Sequence, residues 1–171
     1  RHSNSVAPYG YKPSADDKFV WDIDEPAAQV VRDIYKMCVS GMGPQYIAKE
    51  LESRGLKIPQ IYKAERDGVP PKHIPKRPDT MWHTSVVVNI LSNREYTGKA
   101  VLNRKTTKSY KDHRKYIKPE EEWIIHENAH PAIIDTETWE TVQRIRSNRR
   151  QVTRTYEKGV LEGVIFCLDC G

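Results

Sequence analysis

The sequence lacks the features that mark several protein classes. No run approaches the roughly 20 apolar residues that a membrane-spanning helix needs, and the mean hydropathy of -0.74 belongs to a polar chain. Only three cysteines occur, too few for a disulfide framework, and this usage fits a reducing, cytoplasmic environment. Glycine-rich phosphate-binding loops and a nucleophile beside a base are also missing, which argues against a hydrolase or a metalloenzyme.

Positive charge, in contrast, is abundant and unevenly placed. The 28 Lys and Arg residues outnumber the 23 Asp and Glu residues, which gives a formal net charge of +5. Residues 103–118 contain seven basic residues against one acid, and residues 144–154 contain five arginines and no acid. A basic run is often only solvated surface, but two such runs favour a polyanionic partner such as nucleic acid.

Apolar periodicity predicts two helices in the first third of the chain. Asp24 is expected to cap the first helix, which ends near Gly41. Pro44 opens the second helix and Gly55 stops it. The expected buried stripes are Ala27, Val31, Ile34 and Cys38 in the first helix, and Ile47, Ala48 and Leu51 in the second.

Short strands and loops are expected around these helices. Residues 1–19 are polar and loop-like up to a short strand at 19–23. Residues 56–81 carry five of the eleven prolines, so regular structure is not expected there. Residues 96–102 and 123–126 are expected to pair as a hairpin with a long basic loop. Asp135 is expected to cap a last helix with a core stripe of Trp139, Val142 and Ile145.

A third helix, from Thr84 to Ser92, carries the most informative pattern. At 100° per residue, Val86, Val87, Ile90 and Leu91 fall on one side. The opposite side is small and polar, as expected of a helix that enters the DNA major groove after two others. About thirty residues separate the second helix from the third, far more than in a simple helix-turn-helix. The expected base-reading residues are Thr84, Ser85, Val88, Asn89 and Ser92.

The pair Cys167 and Cys170 supplies half of a tetrahedral zinc site. The other two ligands are not evident in this chain, and a redox role for the pair is the alternative. We therefore expect no cofactor in this chain itself.

An ordered series of motifs resembles the recombinase domain of large serine recombinases. It comprises Pro8-Tyr9-Gly10-Tyr11, Asp24-Glu25-Pro26-Ala27-Ala28, Ile47-Ala48-Lys49-Glu50-Leu51, Ile90-Leu91-Ser92-Asn93, Tyr96-Thr97-Gly98, His130-Pro131-Ala132-Ile133-Ile134-Asp135 and Trp139-Glu140. Gly163, Cys167, Cys170 and Gly171 resemble the opening of that family's zinc ribbon. The series covers nearly the whole chain in the family's order.

The resemblance implies a division of the chain. Residues 1–18 would continue a linker from an absent serine catalytic domain, and residues 19–147 would form the DNA-binding recombinase domain. Residues 148–163 would be a basic linker and residues 164–171 a truncated zinc ribbon. The expected fold is α+β, with a helix-turn-helix-like unit packed beside a short antiparallel sheet and a C-terminal helix leading to the ribbon.

The resemblance also implies a function. The chain would bind duplex DNA at an attachment site and carry no catalysis itself, while its parent would integrate or excise a mobile element in the bacterial cytoplasm and nucleoid. The parent would bind zinc and act as a homodimer or tetramer. Basic residues expected to contact phosphates or groove edges are Lys76, Arg77, Arg94, Lys99, Arg104, Lys105, Lys108, Lys111, Arg114, Lys115, Arg149, Arg150 and Arg154. A helix-turn-helix transcriptional regulator and a basic RNA-binding protein remain the alternatives.

Overall fold

The computed structural model describes residues 7–17, 19–69, 78–109 and 112–148. These residues form the expected α+β fold, with five α-helices and three two-stranded antiparallel sheets among them. The helices are α1 (Glu25–Val39), α2 (Pro44–Ser53), α3 (Pro59–Asp67), α4 (Thr84–Ser92) and α5 (Thr136–Asn148). The strands are β1 (Tyr11–Pro13), β2 (Trp21–Ile23), β3 (Ala100–Leu102), β4 (Lys105–Ser109), β5 (Asp112–Ile117) and β6 (Ile124–His126). None of the described helices is long and apolar enough to cross a bilayer.

The first two helices follow their apolar periodicity. Every residue of the two expected stripes is buried, and α2 packs against α4. Asp24 precedes α1 as expected, but its carboxylate makes no capping bond. It accepts instead from Arg66 at 2.8 Å and from the Tyr62 hydroxyl at 3.1 Å. The carboxylate therefore ties α1 to α3 rather than capping its own helix.

Helix α3 corrects the prediction that residues 56–81 have no regular structure. Pro59 stands at the start of the helix, where its missing N–H is not needed, and Gly68 ends it with a φ of 64°. Flanking residues are held as well, since the Trp82 indole donates to the Leu56 carbonyl at 2.8 Å. Pro59 thus opens a helix inside a segment whose proline content predicts no regular structure.

The N-terminal segment is part of the core. Strand β1 pairs with β2, and both Tyr9 and Tyr11 are buried. The expectation of a loop up to residue 19 is wrong over β1. Ala7, Tyr9 and Tyr11 belong to the buried core, and residues 1–6 lie outside the described residues. The division of the chain into a linker over residues 1–18 and a recombinase domain over residues 19–147 stays a prediction.

Three buried tyrosines organise the centre of this core. Tyr11 stacks on Tyr96 with ring centroids 6.1 Å apart, and Tyr96 meets Tyr35 edge-on at 6.3 Å. Each hydroxyl donates to a distant main-chain carbonyl, which satisfies it without water. The acceptors are Pro131 for Tyr11, Ile90 for Tyr35 and Tyr9 for Tyr96.

The basic region forms a hairpin of its own. As predicted, β3 pairs with β6, but the long loop expected between them contains strands β4 and β5. Residues 94–97, just before β3, form a 3₁₀ turn instead of a strand. The Asn93 side chain accepts from the Glu95 amide at 3.2 Å and so favours the turn.

Helix α5 closes the fold as expected. The Asp135 carboxylate accepts from the Thr138 amide at 2.7 Å, a regular N-terminal cap. Val142 is fully buried, whereas Trp139 and Ile145 are half-buried. Trp139 instead lines a surface groove beside α4.

Candidate nucleic-acid interface

Helix α4 divides into a buried and an exposed face as its periodicity predicts. Val87, Ile90 and Leu91 are buried. Thr84, Ser85 and Asn89 are exposed, and Val88 and Ser92 are half-buried. Thr84 is the first helical residue, and His83 holds the N-cap position with extended backbone. The surface formed by Thr84, Ser85, Val88, Asn89 and Ser92 is called the polar face below.

The side chains of the polar face differ in whether they already make a hydrogen bond within the protein. The Ser92 hydroxyl donates to the Val88 carbonyl at 2.6 Å within the helix. Thr84, Ser85 and Asn89 make no side-chain hydrogen bond to any residue the structure describes. Asn89 stands near the middle of this face, and its amide offers both donors and an acceptor.

Neighbouring helices hold the C-terminal end of α4. The helix ends at Asn93 with extended backbone and no glycine. The Tyr35 hydroxyl of α1 donates to the Ile90 carbonyl at 3.1 Å, and the Gln143 amide of α5 donates to the Leu91 carbonyl at 2.7 Å. The Gln143 bond satisfies the Leu91 carbonyl, which the helix end leaves open, whereas the Ile90 carbonyl also accepts from the Asn93 amide at 3.2 Å. The two side-chain bonds also fix the orientation of the polar face.

The β4–β5 hairpin exposes basic side chains on both of its faces. Thr107 pairs with Lys115 and Lys105 with Ile117, so Lys105 and Lys115 share one face. Arg114, 85% exposed, alternates with Lys115 and lies on the other face. Its nearest acid is Asp112 at 3.8 Å. Lys105 and Lys115 make no ion pair within the described part of the chain.

Other predicted phosphate contacts already have intramolecular partners. Lys99 pairs with Glu127 at 2.9 Å. The Arg94 guanidinium lies over the Trp139 ring at 5.0 Å, and that of Arg104 over the Trp123 ring at 5.3 Å. The hairpin cations are therefore the freer group, whereas Arg94 and Arg104 are held in place. Lys99 would first have to give up its carboxylate.

A groove opens beside the end of the polar face, where Ser92 belongs to both. Its cavity volume is about 660 Å³. Three arginines and two tryptophans from separate parts of the chain line it, namely Arg94, Arg104, Arg146, Trp123 and Trp139. We call it the arginine–tryptophan groove. Two acids line it as well, Glu95 and Glu120. Burial raises the pKa of Glu95, although the Asn93 hydrogen bond and Arg104 oppose the shift.

Comparison with known proteins shows which family has this domain. A family model described as "Recombinase" matches residues 25–149, nearly three quarters of the chain. The chain belongs to the Recombinase family. The match begins at the first residue of α1 and runs just past the end of α5. The family expected from the ordered motifs is thus confirmed.

Individual relatives of this Recombinase-family chain are distant. A Bacillus subtilis (strain 168) protein named "Putative DNA recombinase" is 27% identical over 177 residues, covering 95% of this chain and 31% of that protein. A solved structure described as "Sequence Requirements of the Listeria innocua prophage attP site" has a TM-score of 0.53 at 20% identity. It matches over 85% of this chain and 45% of that one, and it shows a shared fold. This chain thus spans less than half the length of either relative.

Part of the predicted site falls outside the described residues. These positions are Lys76, Arg77, Lys111, Arg149, Arg150, Arg154, Cys167 and Cys170, and for Lys108 only the backbone is described. Within residues 7–17, 19–69, 78–109 and 112–148, no cluster of His, Cys, Asp and Glu is suited to a metal ion. Zinc binding at the cysteine pair therefore stays a prediction.

Sequence analysis of the Recombinase-family chain missed the arginine–tryptophan groove. Arg146 was visible as one of five arginines in residues 144–154, but nothing local linked it to Arg104 or Trp123. Only the packing of α5 beside α4 and the chain around β3 brings them together.

Proposed function

We propose that this chain binds duplex DNA sequence-specifically, as part of a large serine site-specific recombinase that acts on a mobile element. One observation carries the proposal. Helix α4 is held at its end by α1 and α5 and exposes small polar side chains without partners among the described residues. Such a surface costs little to desolvate and is suited to base edges.

The polar face fits the chemistry of the major groove. That groove admits an α-helix and presents a distinct pattern for each base pair. Asn89 suits the N6 and N7 edge of adenine, Ser85 suits a donor or an acceptor, and Val88 suits the thymine methyl group. Ser92 would act mainly through its position, since its hydroxyl is used within the helix.

The hairpin supplies the complementary phosphate contacts. Lys105, Arg114 and Lys115 are exposed and can neutralise phosphates without first breaking a close ion pair. Phosphate contacts set affinity and orientation, whereas base contacts set sequence preference. The two elements would therefore have separable effects on binding.

The wider role rests on the relatives. One relative is named a DNA recombinase, and the related structure concerns a prophage attP site. Because this chain spans 31% of the first relative, we propose that a serine catalytic domain lies elsewhere in a longer protein. That protein would bind zinc through Cys167 and Cys170 with further ligands. It would assemble as a homodimer or tetramer on DNA in the bacterial cytoplasm.

The test is a comparison of two variants by fluorescence anisotropy, on a duplex selected for tight binding and on an unrelated duplex. Asn89→Ala should lose about 1–3 kcal/mol on the selected duplex only. Lys105→Ala should weaken both duplexes alike and reduce the salt slope by about 1. Gln29→Ala, on the exposed side of α1, is the control and should change neither.

Three results would contradict the proposal. The first is equal behaviour of Asn89→Ala and Lys105→Ala on both duplexes. The second is no affinity of the wild type for any duplex at low ionic strength. The third is a preference for structured RNA over duplex DNA in direct competition.

A further inference from the structure

The arginine–tryptophan groove holds its guanidinium groups in fixed places. Arg94 lies over Trp139 and Arg104 over Trp123, each about 5 Å from the ring centre. Arg146 donates to the Gln143 side-chain oxygen at 3.0 Å. A guanidinium stacked on a ring keeps its N–H edges available, because the stacking uses only its face. The groove therefore presents preordered donors.

Two further donors, which belong to side chains that line the groove, are buried without an acceptor. Neither the Arg104 Nε nor the Trp139 Nε1 has a hydrogen-bond partner among the described residues. Buried N–H groups are normally satisfied, and both of these belong to side chains that line the groove. The surplus of donors over acceptors is the pattern expected of an anion site.

The acids beside the groove do not cancel its charge. Glu120 is 71% exposed and approaches Arg94 only to 3.8 Å, a distance at which an exposed pair contributes little. Glu95 is half-buried, and desolvation favours its neutral form. Three arginines thus line the groove against two carboxylates, one of which engages its arginine only weakly.

The size and position of the groove indicate the kind of anion. A cavity of about 660 Å³ is larger than a single phosphate needs and has room for a phosphodiester with its sugars. Ser92 belongs both to this groove and to the polar face of α4. Gln143 connects the two, since it donates to the Leu91 carbonyl and accepts from Arg146. An anion seated here would lie next to the DNA that α4 reads.

We propose that the arginine–tryptophan groove is a seat for one backbone phosphodiester of the DNA. Arg104 and Arg146 bind its oxygens, and the Trp139 indole N–H donates to the same group. The inference rests on the proposed function and deepens it. A phosphate held between α4 and α5 fixes the angle at which the polar face meets the base edges, which exposed lysines on the hairpin cannot do.

The test compares Arg146→Gln with Arg144→Gln, a matched change on the same helix at an exposed position outside the groove. Duplex affinity is measured between 50 and 300 mM salt. Arg146→Gln should bind roughly tenfold more weakly at low salt, as the loss of one charge-assisted bond implies. It should also reduce the salt slope by about 0.9, the share of one phosphate. Arg144→Gln should leave both unchanged.

A neutral phosphate analogue locates the contact. Single methylphosphonates are placed in turn along the selected duplex. A methylphosphonate at one position should weaken the binding of the wild type. The same methylphosphonate should cause no further loss of affinity in Arg146→Gln, because that variant already lacks the arginine that contacts this phosphate. Trp139→Phe keeps a ring under Arg94 and removes the indole N–H, so it should lower affinity without changing the salt slope. Urea unfolding of every variant shows that each remains folded.

The outcomes separate this inference from the proposed function. A wild type that binds no duplex contradicts the proposed function. A wild type that binds, with Arg146→Gln equal to Arg144→Gln, overturns the phosphate seat alone. Titration with the mononucleotide dAMP, followed by tryptophan fluorescence, tests the source of the phosphate. Binding of dAMP as tight as binding of the duplex would show a free-nucleotide site and overturn the backbone assignment.

Discussion

The side-chain amide of Gln143 on α5 donates a hydrogen bond of 2.7 Å to the main-chain carbonyl of Leu91 at the end of α4. This bond links the last helix of the fold to the helix that carries the polar face. Removing it should destabilise the domain, since a buried carbonyl would lose its nearest donor.

We expect Gln143→Ala to lower the free energy of unfolding by about 1 kcal/mol in urea denaturation. Gln29→Ala, which removes an exposed side-chain bond to Asp33, should cost less than about 0.5 kcal/mol. Equal losses in the two variants would show that the bond to Leu91 does not hold α4.

Two glycines with similar backbone angles predict different costs of substitution. Gly41 has a φ of 94° and open space around it, whereas a Cβ on Gly98, with a φ of 81°, would lie 2.9 Å from the His130 carbonyl oxygen. Gly41→Ala should cost about 1–2 kcal/mol from backbone conformation alone. Gly98→Ala should cost at least about 1 kcal/mol more, because main chain must also move. Thermal unfolding measures the difference, and equal midpoints would contradict the close approach.

The ion pair between Arg66 and Asp24 anchors α3, the helix that the sequence did not predict. The Asp24 side chain is only 9% exposed, and Arg66 also donates to the Tyr11 carbonyl at 3.1 Å. Arg66→Met should cost about 2–3 kcal/mol, because it leaves a buried carboxylate without its cation. Arg54→Met, which breaks exposed pairs with Glu50 and Asp33, should cost about 0–1 kcal/mol. A small loss for Arg66→Met would mean that α3 is not anchored through Asp24.

His130 makes stability depend on pH. Burial between Tyr11 and Trp21 lowers the pKa of His130 below its ordinary value of 6.5, against the opposing effect of its 2.6 Å bond to the Glu95 carbonyl. The unfolded chain takes up this proton more readily than the folded one. Stability from this group is therefore complete above pH 6.5 and is lost as the pH falls through the lower, folded pKa.

The measurement is the free energy of unfolding between pH 7.5 and 5. In His130→Gln, the free energy of unfolding should decline less as the pH falls. In His126→Gln, a change at an exposed strand position, the decline should be the same as in the wild type. An unchanged decline in His130→Gln would assign the acid sensitivity to other groups.

The sequence predicted those parts of the fold that depend on local patterns. The apolar stripes of α1, α2 and α4 and the Asp135 cap of α5 are contained in single segments, and all are observed. Helix α3 could not be predicted because Ile61 is its only buried residue and it lies in a proline-rich segment. Strand β1 was missed because it is three residues long and owes its place to buried tyrosines.

The candidate site shows the same division. The polar face of α4 follows from spacing within nine residues and could be predicted. The sequence could not predict which cations are free, because the partners of Lys99, Arg94 and Arg104 come from other segments of the chain. The arginine–tryptophan groove depends on contacts between residues up to about fifty positions apart, and no local pattern encodes it.

The most direct test of the central claim, that the polar face of α4 reads bases, is selection of binding sites from a randomised duplex pool with the wild type and with Asn89→Ala. We predict that both proteins select the same sequence, except that Asn89→Ala accepts any base at one position where the wild type requires adenine. An identical motif at every position, with the adenine requirement intact, would contradict the account.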